Sequence, residues 1–216
     1  MTKWFRLALL AIVFCYVSGA RAWAQPQQEN KPERRPQPGA TQQGTTTEYD
    51  ATPKFNGDYF VGVWKFDGAW SESPLGEGGP ISGTEIVRDI WDGRFWDVTI
   101  EGKGPDDAPF TGKGVILFQD SFTGQSLTRY ELTRGLSVLR TGVVGCDLGG
   151  TCTAHFESPP FEHNGSKVQL RGRYQMSGPF SYRMITEISV DGGEYRNLGT
   201  IWYTRDPKAP KPHGIK

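Results

Sequence analysis

Residues 60–70 read Phe-Val-Gly-Val-Trp-Lys-Phe-Asp-Gly-Ala-Trp. Aromatic residues and glycines recur at every second position, Phe60, Gly62, Trp64, Phe66, Gly68 and Trp70, while Val61, Lys65 and Asp67 fall on the other face. A period of two sustained over that length predicts a β-strand with one large apolar face. Nothing upstream of it is patterned in this way, so the strand opens the folded part of the chain.

Downstream, strand patterns follow one another and no amphipathic helix intervenes. Thr84–Trp91 and Arg94–Glu101 flank Asp92-Gly93, a strong hairpin signal because both central residues of a type I′ turn need positive φ. Lys113–Gln119 and Gln125–Leu132 meet around Thr123-Gly124, and Leu136–Val144 runs through a glycine-rich stretch into Thr153–Glu157. Ser166–Met176 and Phe180–Val190 alternate cleanly, and Asp191-Gly192-Gly193 leads to a last strand over Tyr195–Arg205. About nine or ten antiparallel strands joined by hairpins predict an all-β, up-and-down barrel. Pairing the first strand with the last would remove both sheet edges.

The N-terminus has a different character. Lys3 and Arg6 precede a continuous apolar run over Leu7–Ala20, and Ala22-Trp23-Ala24 supplies a small-x-small cleavage site. Residues 1–24 are therefore expected to be a secretory signal peptide. The run falls short of the roughly 20 residues that span a bilayer, and bulky Phe14 ahead of Cys15 argues against a lipoprotein. Residues 25–54, rich in Pro, Gln and Thr, are expected to form a disordered linker, residues 55–206 the barrel, and residues 207–216 a frayed tail. These features place the mature protein in the periplasm or outside the cell.

Charge excludes some partners. The chain carries 24 basic and 24 acidic residues, and cleavage would remove Lys3, Arg6 and Arg21 but no acid, leaving a net charge of −3. Such a protein has no electrostatic case for binding nucleic acid or anionic lipid, and no stable membrane insertion is expected after cleavage. Oligomeric state is not legible. Cys146 and Cys152 remain after cleavage, flanking a glycine-rich turn, and a structural cross-hairpin disulfide is expected. The alternative, a redox-active pair, lacks the Cys-x-x-Cys spacing and the helix N-terminus that lower a thiol pKa.

Gly62-Val63-Trp64 resembles the Gly-x-Trp signature of lipocalin and calycin barrels. Arg205 stands where those barrels often place an arginine over that tryptophan, which implies a cation–π contact at the closure seam. The order of Gly62-x-Trp64, Ser73-Pro74-Leu75-Gly76, Gly83-Thr84-Glu85, Asp92-Gly93-Arg94-Phe95, Asp191-Gly192-Gly193 and Tyr203-Thr204-Arg205 further resembles secreted bacterial proteins of the DUF1579 type. The resemblance covers about residues 60–205 and implies a calycin-like barrel. It supplies no catalytic residues, and the long linker and the cysteine pair depart from it.

Motifs for chemistry are sparse. His155 and His163 have no third ligand at strand spacing, and Asp106-Asp107 reads as an acidic turn, so no metal is expected. Gly76-Glu77-Gly78-Gly79 lacks the ending of a phosphate loop, and Asn164-Gly165-Ser166 reads as a turn. No Gly-x-Ser-x-Gly elbow appears, and no catalytic residue or cofactor is assigned. Trp64, Tyr130, Tyr174, Tyr182, Arg183 and Trp202 are the candidate pocket residues, with Arg88 and Arg140 as further arginines that could meet a polar group. Three functions compete. The first is binding of a small apolar or amphipathic molecule in the barrel. The second is an isomerase or hydrolase in the same cavity, with a base such as Glu187. The third is a filled barrel acting through its surface. A one-residue slip in register would invert every side chain.

Overall fold

Alternation at the start of the domain produces strand β1 (Gly62–Trp70), which buries Gly62, Trp64 and Phe66 on one face. Phe60 lies outside it, in a single 3-10 turn over Gly57–Phe60 capped by the Asn56 side chain, which accepts a hydrogen bond from the Asp58 N–H. This computed structural model describes residues 53–209. The expected signal peptide, the linker up to residue 52 and the tail from residue 210 lie outside the described residues.

The strands that follow are β2 (Gly79–Trp91), β3 (Phe95–Lys103), β4 (Pro109–Ser121), β5 (Gly124–Thr133) and β6 (Leu136–Cys146). After them come β7 (Cys152–Glu157), β8 (Phe161–His163), β9 (Ser166–Gly178), β10 (Ser181–Val190) and β11 (Arg196–Arg205). All lie in one antiparallel sheet in which β11 pairs with β1 and β9 with β10, so ten strands close into a barrel. Short β8 is the eleventh, and its three residues carry no alternating pattern. It pairs with the first residues of β9, while β7 pairs with the later ones. Between them stand Pro159 and Pro160, which have no N–H to offer a ladder. Ser158 bridges the break: its N–H donates to the Leu170 carbonyl (2.8 Å) and its Oγ accepts from the Leu170 N–H (2.9 Å).

Tight turns set the hairpins. Asp92-Gly93, Arg134-Gly135, Asn164-Gly165 and Asp191-Gly192 all have positive φ at both residues, the geometry of a type I′ turn. The Cys146–Cys152 disulfide is present and joins direct cross-strand partners on β6 and β7.

The seam explains the Gly-x-Trp pattern. Arg205 pairs in register with Trp64, and its guanidinium carbon lies 4.3 Å from the indole centroid. It also donates to the carbonyls of Val61 (2.7 Å), Tyr59 and Pro179 (3.1 Å). At Gly62, φ is +151°, and a Cβ there would sit 3.1 Å from Arg205 Nη1. Any side chain at residue 62 would strain the backbone and crowd the arginine.

One end of the barrel is closed. Phe55, Phe60, Trp64, Trp96 and Tyr182 are buried there, with the Trp64 and Tyr182 rings 4.9 Å apart. The Tyr59 hydroxyl lies 2.8 Å from the carbonyl oxygens of both Gly178 and Ser181, which share its one proton, tying the N-terminal turn to the β9–β10 connection. The other end carries the residue 71–78 connection, the Arg134-Gly135 turn and the β10–β11 connection. A smaller apolar cluster of Val138, Val168, Leu170, Ile188 and Leu198 packs there.

A cavity above a buried charge layer

Between the two ends the barrel interior is charged. Inward positions of β5 alternate as Leu127, Arg129, Glu131 and Thr133, and Glu85 of β2 is in phase with Ile81 and Val87. Arg129 and Glu85 are almost wholly buried, and their contact is bidentate, Nη2 to Oε2 at 2.7 Å and Nη1 to Oε1 at 3.3 Å. Arg129 Nε donates to Glu131 Oε2 at 2.9 Å, and Arg140 Nη2 donates to the same oxygen at 3.1 Å. Tyr182 adds a hydroxyl donated to Glu85 Oε1 at 3.3 Å.

The titration of this layer follows from its pairing. Burial opposes charge on Glu131, but Arg129 and Arg140 together outweigh it and hold the carboxyl below the ordinary glutamate range. Burial also opposes charge on Arg129, yet Glu85, Tyr174 and Glu131 keep it firmly protonated. Tyr182 and Tyr203 are pushed well above the ordinary phenol range, first by burial and then by Glu85. Both Glu85 oxygens and Glu131 Oε2 thus accept from guanidinium or phenol donors.

On the open side of this layer lies a cavity of about 130 Å3. Its walls are apolar, with Phe66, Ile81, Ile100, Val138, Leu198 and Ile201 among them. Its polar residues are Glu131, Thr133, Arg140, Thr186 and Tyr203 in the interior, and Ser71, Ser73, Glu77 and Arg134 in the rim connections. Arg140 Nε, Thr133 Oγ1 and Thr186 Oγ1 are buried and have no hydrogen-bond partner. The residue 71–78 connection runs along the rim. The Asn164 amide of the β8–β9 turn donates to the Pro74 carbonyl at 3.0 Å, and Leu75 packs on the apolar cluster beside it.

The residues expected to line a pocket divide into two groups. Trp64, Tyr174 and Tyr182 do point inward, but they lie in and beside the aromatic plug, on the far side of the charge layer from the cavity. Tyr130, Arg183 and Trp202 face the outer wall. Tyr130 is 44% exposed and shares a hydrogen bond with Ser137, while Arg183 stacks on the half-exposed Trp202 ring at 5.4 Å and donates to Gln175. Strand alternation is the cause, since each follows or precedes an inward residue (Arg129, Tyr182, Ile201 and Tyr203). Glu187, the candidate base, is also on the outer wall, paired with Arg171 at 2.8 Å. Arg88 pairs outside with Asp97 at 3.5 Å, whereas Arg140 alone of the arginines named from sequence reaches the cavity. His155 and His163 face Arg173 and Ser166 of β9, positions roughly 23 Å apart along an extended strand.

Fold and interior define a closed, ten-stranded antiparallel barrel with one plugged end and one cavity end. The crystal structure of Rv2717c from M. tuberculosis is similar, with a TM-score of 0.55 at 11% identity, covering 71% of this chain and 99% of that one. At that identity the likeness shows the fold alone. A redesigned β-barrel aligns at a TM-score of 0.39 and 13% identity, covering 72% of this chain and 99% of its own. No protein-family model and no curated relative matches the sequence.

Proposed function

We propose that this protein binds a small amphipathic molecule in the cavity end of its barrel, and that it does so in the periplasm or outside the cell. The observation that carries the first part is the cavity itself, apolar on its walls and fitted with a few unpartnered polar atoms. Sites for small molecules have that composition. Its volume sets the scale of the ligand. At about 130 Å3 the cavity is close to an apolar cavity that takes up benzene and well below sites for drug-sized ligands. A single ring or a short chain fits that volume.

The disulfide is compatible with an oxidising compartment, and no helix among the described residues is long and apolar enough to cross a membrane. The basic-apolar-small pattern of residues 1–24 supports export. The Gly62-x-Trp64 and Arg205 seam supports a DUF1579-type, calycin-like assignment.

Titration of the 15N-labelled protein with toluene and benzyl alcohol tests the binding reading. Amide shifts are expected at Ile81, Val138, Thr186 and Leu198, and none at the plug residues Phe60 and Trp96. Val138→Trp, which fills the cavity, should abolish them while circular dichroism stays unchanged. Shifts confined to the outer wall, or surviving in Val138→Trp, would overturn the reading.

A further inference from the structure

The charge count of the cavity points to a more specific ligand, and this step rests on the binding reading above. We propose that the cavity selects an uncharged molecule with a hydrogen-bonding head group, such as an alcohol, phenol, amide or carbonyl compound, over the carboxylate or ammonium of the same size.

Four ionisable side chains form the layer beneath the cavity, and they cancel in pairs. Glu85 is matched by Arg129, and Glu131 by Arg140, through contacts of 2.7 to 3.3 Å. The two ionisable residues of the rim, Glu77 and Arg134, are also of opposite sign. A carboxylate entering this space would leave one buried negative charge without a partner, and an ammonium one positive charge. Burying an unpaired ion is far costlier than burying a neutral polar group.

The polar atoms left over are those a neutral head group needs. Arg140 Nε is a donor only, and the hydroxyls of Thr133 and Thr186 can donate or accept. Thr186 is 2% exposed, and its hydroxyl has no hydrogen-bond partner. Of the five buried side-chain polar atoms without a partner among the described residues, three belong to residues that line this cavity, and each carries a desolvation cost. A hydroxyl or carbonyl oxygen that reached any one of them would satisfy it. The remaining walls are apolar and accept a ring or a short alkyl chain.

The test uses the full chain and four one-ring probes of nearly equal size: toluene, benzyl alcohol, benzoate and benzylamine, each titrated at pH 7 against 15N amide shifts. Benzyl alcohol should bind about tenfold or more tightly than benzoate and benzylamine, the scale set by an uncompensated charge in a buried site. Glu131→Gln removes one negative charge from the layer and should raise benzoate affinity at least about fivefold relative to benzyl alcohol. Because that variant disturbs a buried network, Thr186→Val provides a second, nearly isosteric probe. It should weaken benzyl alcohol and leave toluene unchanged. Equal or tighter binding of benzoate or benzylamine by the natural sequence overturns the head-group assignment and leaves the cavity reading standing. Thr186→Val weakening toluene as much as benzyl alcohol overturns it as well. Absence of cavity shifts with every probe, toluene included, overturns the binding reading itself.

Discussion

Arg129 and Glu85 are 44 residues apart in sequence, yet they meet across the barrel interior in a two-pronged contact, with Nη2 2.7 Å from Oε2. Neither residue has appreciable exposure to solvent. Paired, the two charges roughly offset their own desolvation; separated, the survivor is an uncompensated buried ion. Arg129→Leu should therefore destabilise the protein by about 3–5 kcal/mol. The double variant Glu85→Leu/Arg129→Leu should recover much of that loss. Urea denaturation of the three proteins checks the pattern, and a double variant no better than Arg129→Leu would contradict it.

The closure seam makes a separate prediction. Arg205→Ala loses a cation–π contact and three hydrogen bonds to backbone carbonyls, and because the residue is partly exposed the expected cost is about 2–3 kcal/mol. Arg205→Lys should rescue little, since one ammonium cannot reach Tyr59, Val61 and Pro179 together while covering the indole. Thermal melts monitored by Trp64 environment in the near-ultraviolet would show it.

Acid should act through Glu131. Its carboxyl is held below the ordinary range in the folded state, so the folded protein keeps it ionised at pH values where the unfolded chain takes up a proton. The stability it contributes is complete above the unfolded pKa of about 4.3 and is lost as pH falls through the lower folded value. Glu131→Gln should flatten the acid limb of a stability-versus-pH curve. An unchanged limb in that variant would rule out Glu131 as its source.

The disulfide lies at the plugged end, on the far side of the charge layer from the cavity. The loop it closes is short, with a sequence separation of 6, so its loss should cost about 2 kcal/mol at most. Cys146→Ser/Cys152→Ser should lower the denaturation midpoint and leave cavity amide shifts with toluene unaltered.

At the cavity mouth, the Asn164 amide holds the Pro74 carbonyl at 3.0 Å. Removing that bond in Asn164→Gly, which keeps the positive φ available, should loosen the residue 71–78 connection. Faster amide hydrogen exchange at Leu75 and Gly76, with little change in global stability, is the expected result.

Much of this architecture is legible in the sequence because the turns and the alternation agree. Asp92-Gly93 and Asp191-Gly192 form the expected turns, and the strands from Gly79–Trp91 through Arg196–Arg205 fall close to the patterned segments. Strand β8 escapes notice because three residues carry no period and Pro159-Pro160 dominates the segment. Arg134-Gly135 escapes because arginine seldom accepts positive φ.

The interior was harder to read for a specific reason. In β5 the apolar-looking set is Tyr130 and Leu132, and an apolar-inside rule turns them inward. The structure turns Arg129 and Glu131 inward instead, because their charges are met by Glu85 and Arg140. A signal did exist. Glu85 keeps phase with Ile81 and Val87, and Arg129 with Leu127, so two charges of opposite sign stand at positions that the strand pattern assigns to the core. Aromatic residues, by contrast, are equally at home in a plug and on an outer wall, which is why Trp64 and Trp202 could not be told apart by type alone.

Because β1 pairs with β11, a contact such as that between Arg205 and Val61 joins residues 144 positions apart. Contacts of that span carry a high loop-closure cost before they return anything, and folds built on them mature slowly. On a ribosome the first strand emerges long before its final partner. Until β11 has been made, β1 and whichever strand is newest both present open hydrogen-bonding edges. A chain interrupted before Arg196 is consequently not a slightly smaller barrel. It is an open sheet with two adhesive rims, and its natural next partner is another copy of itself.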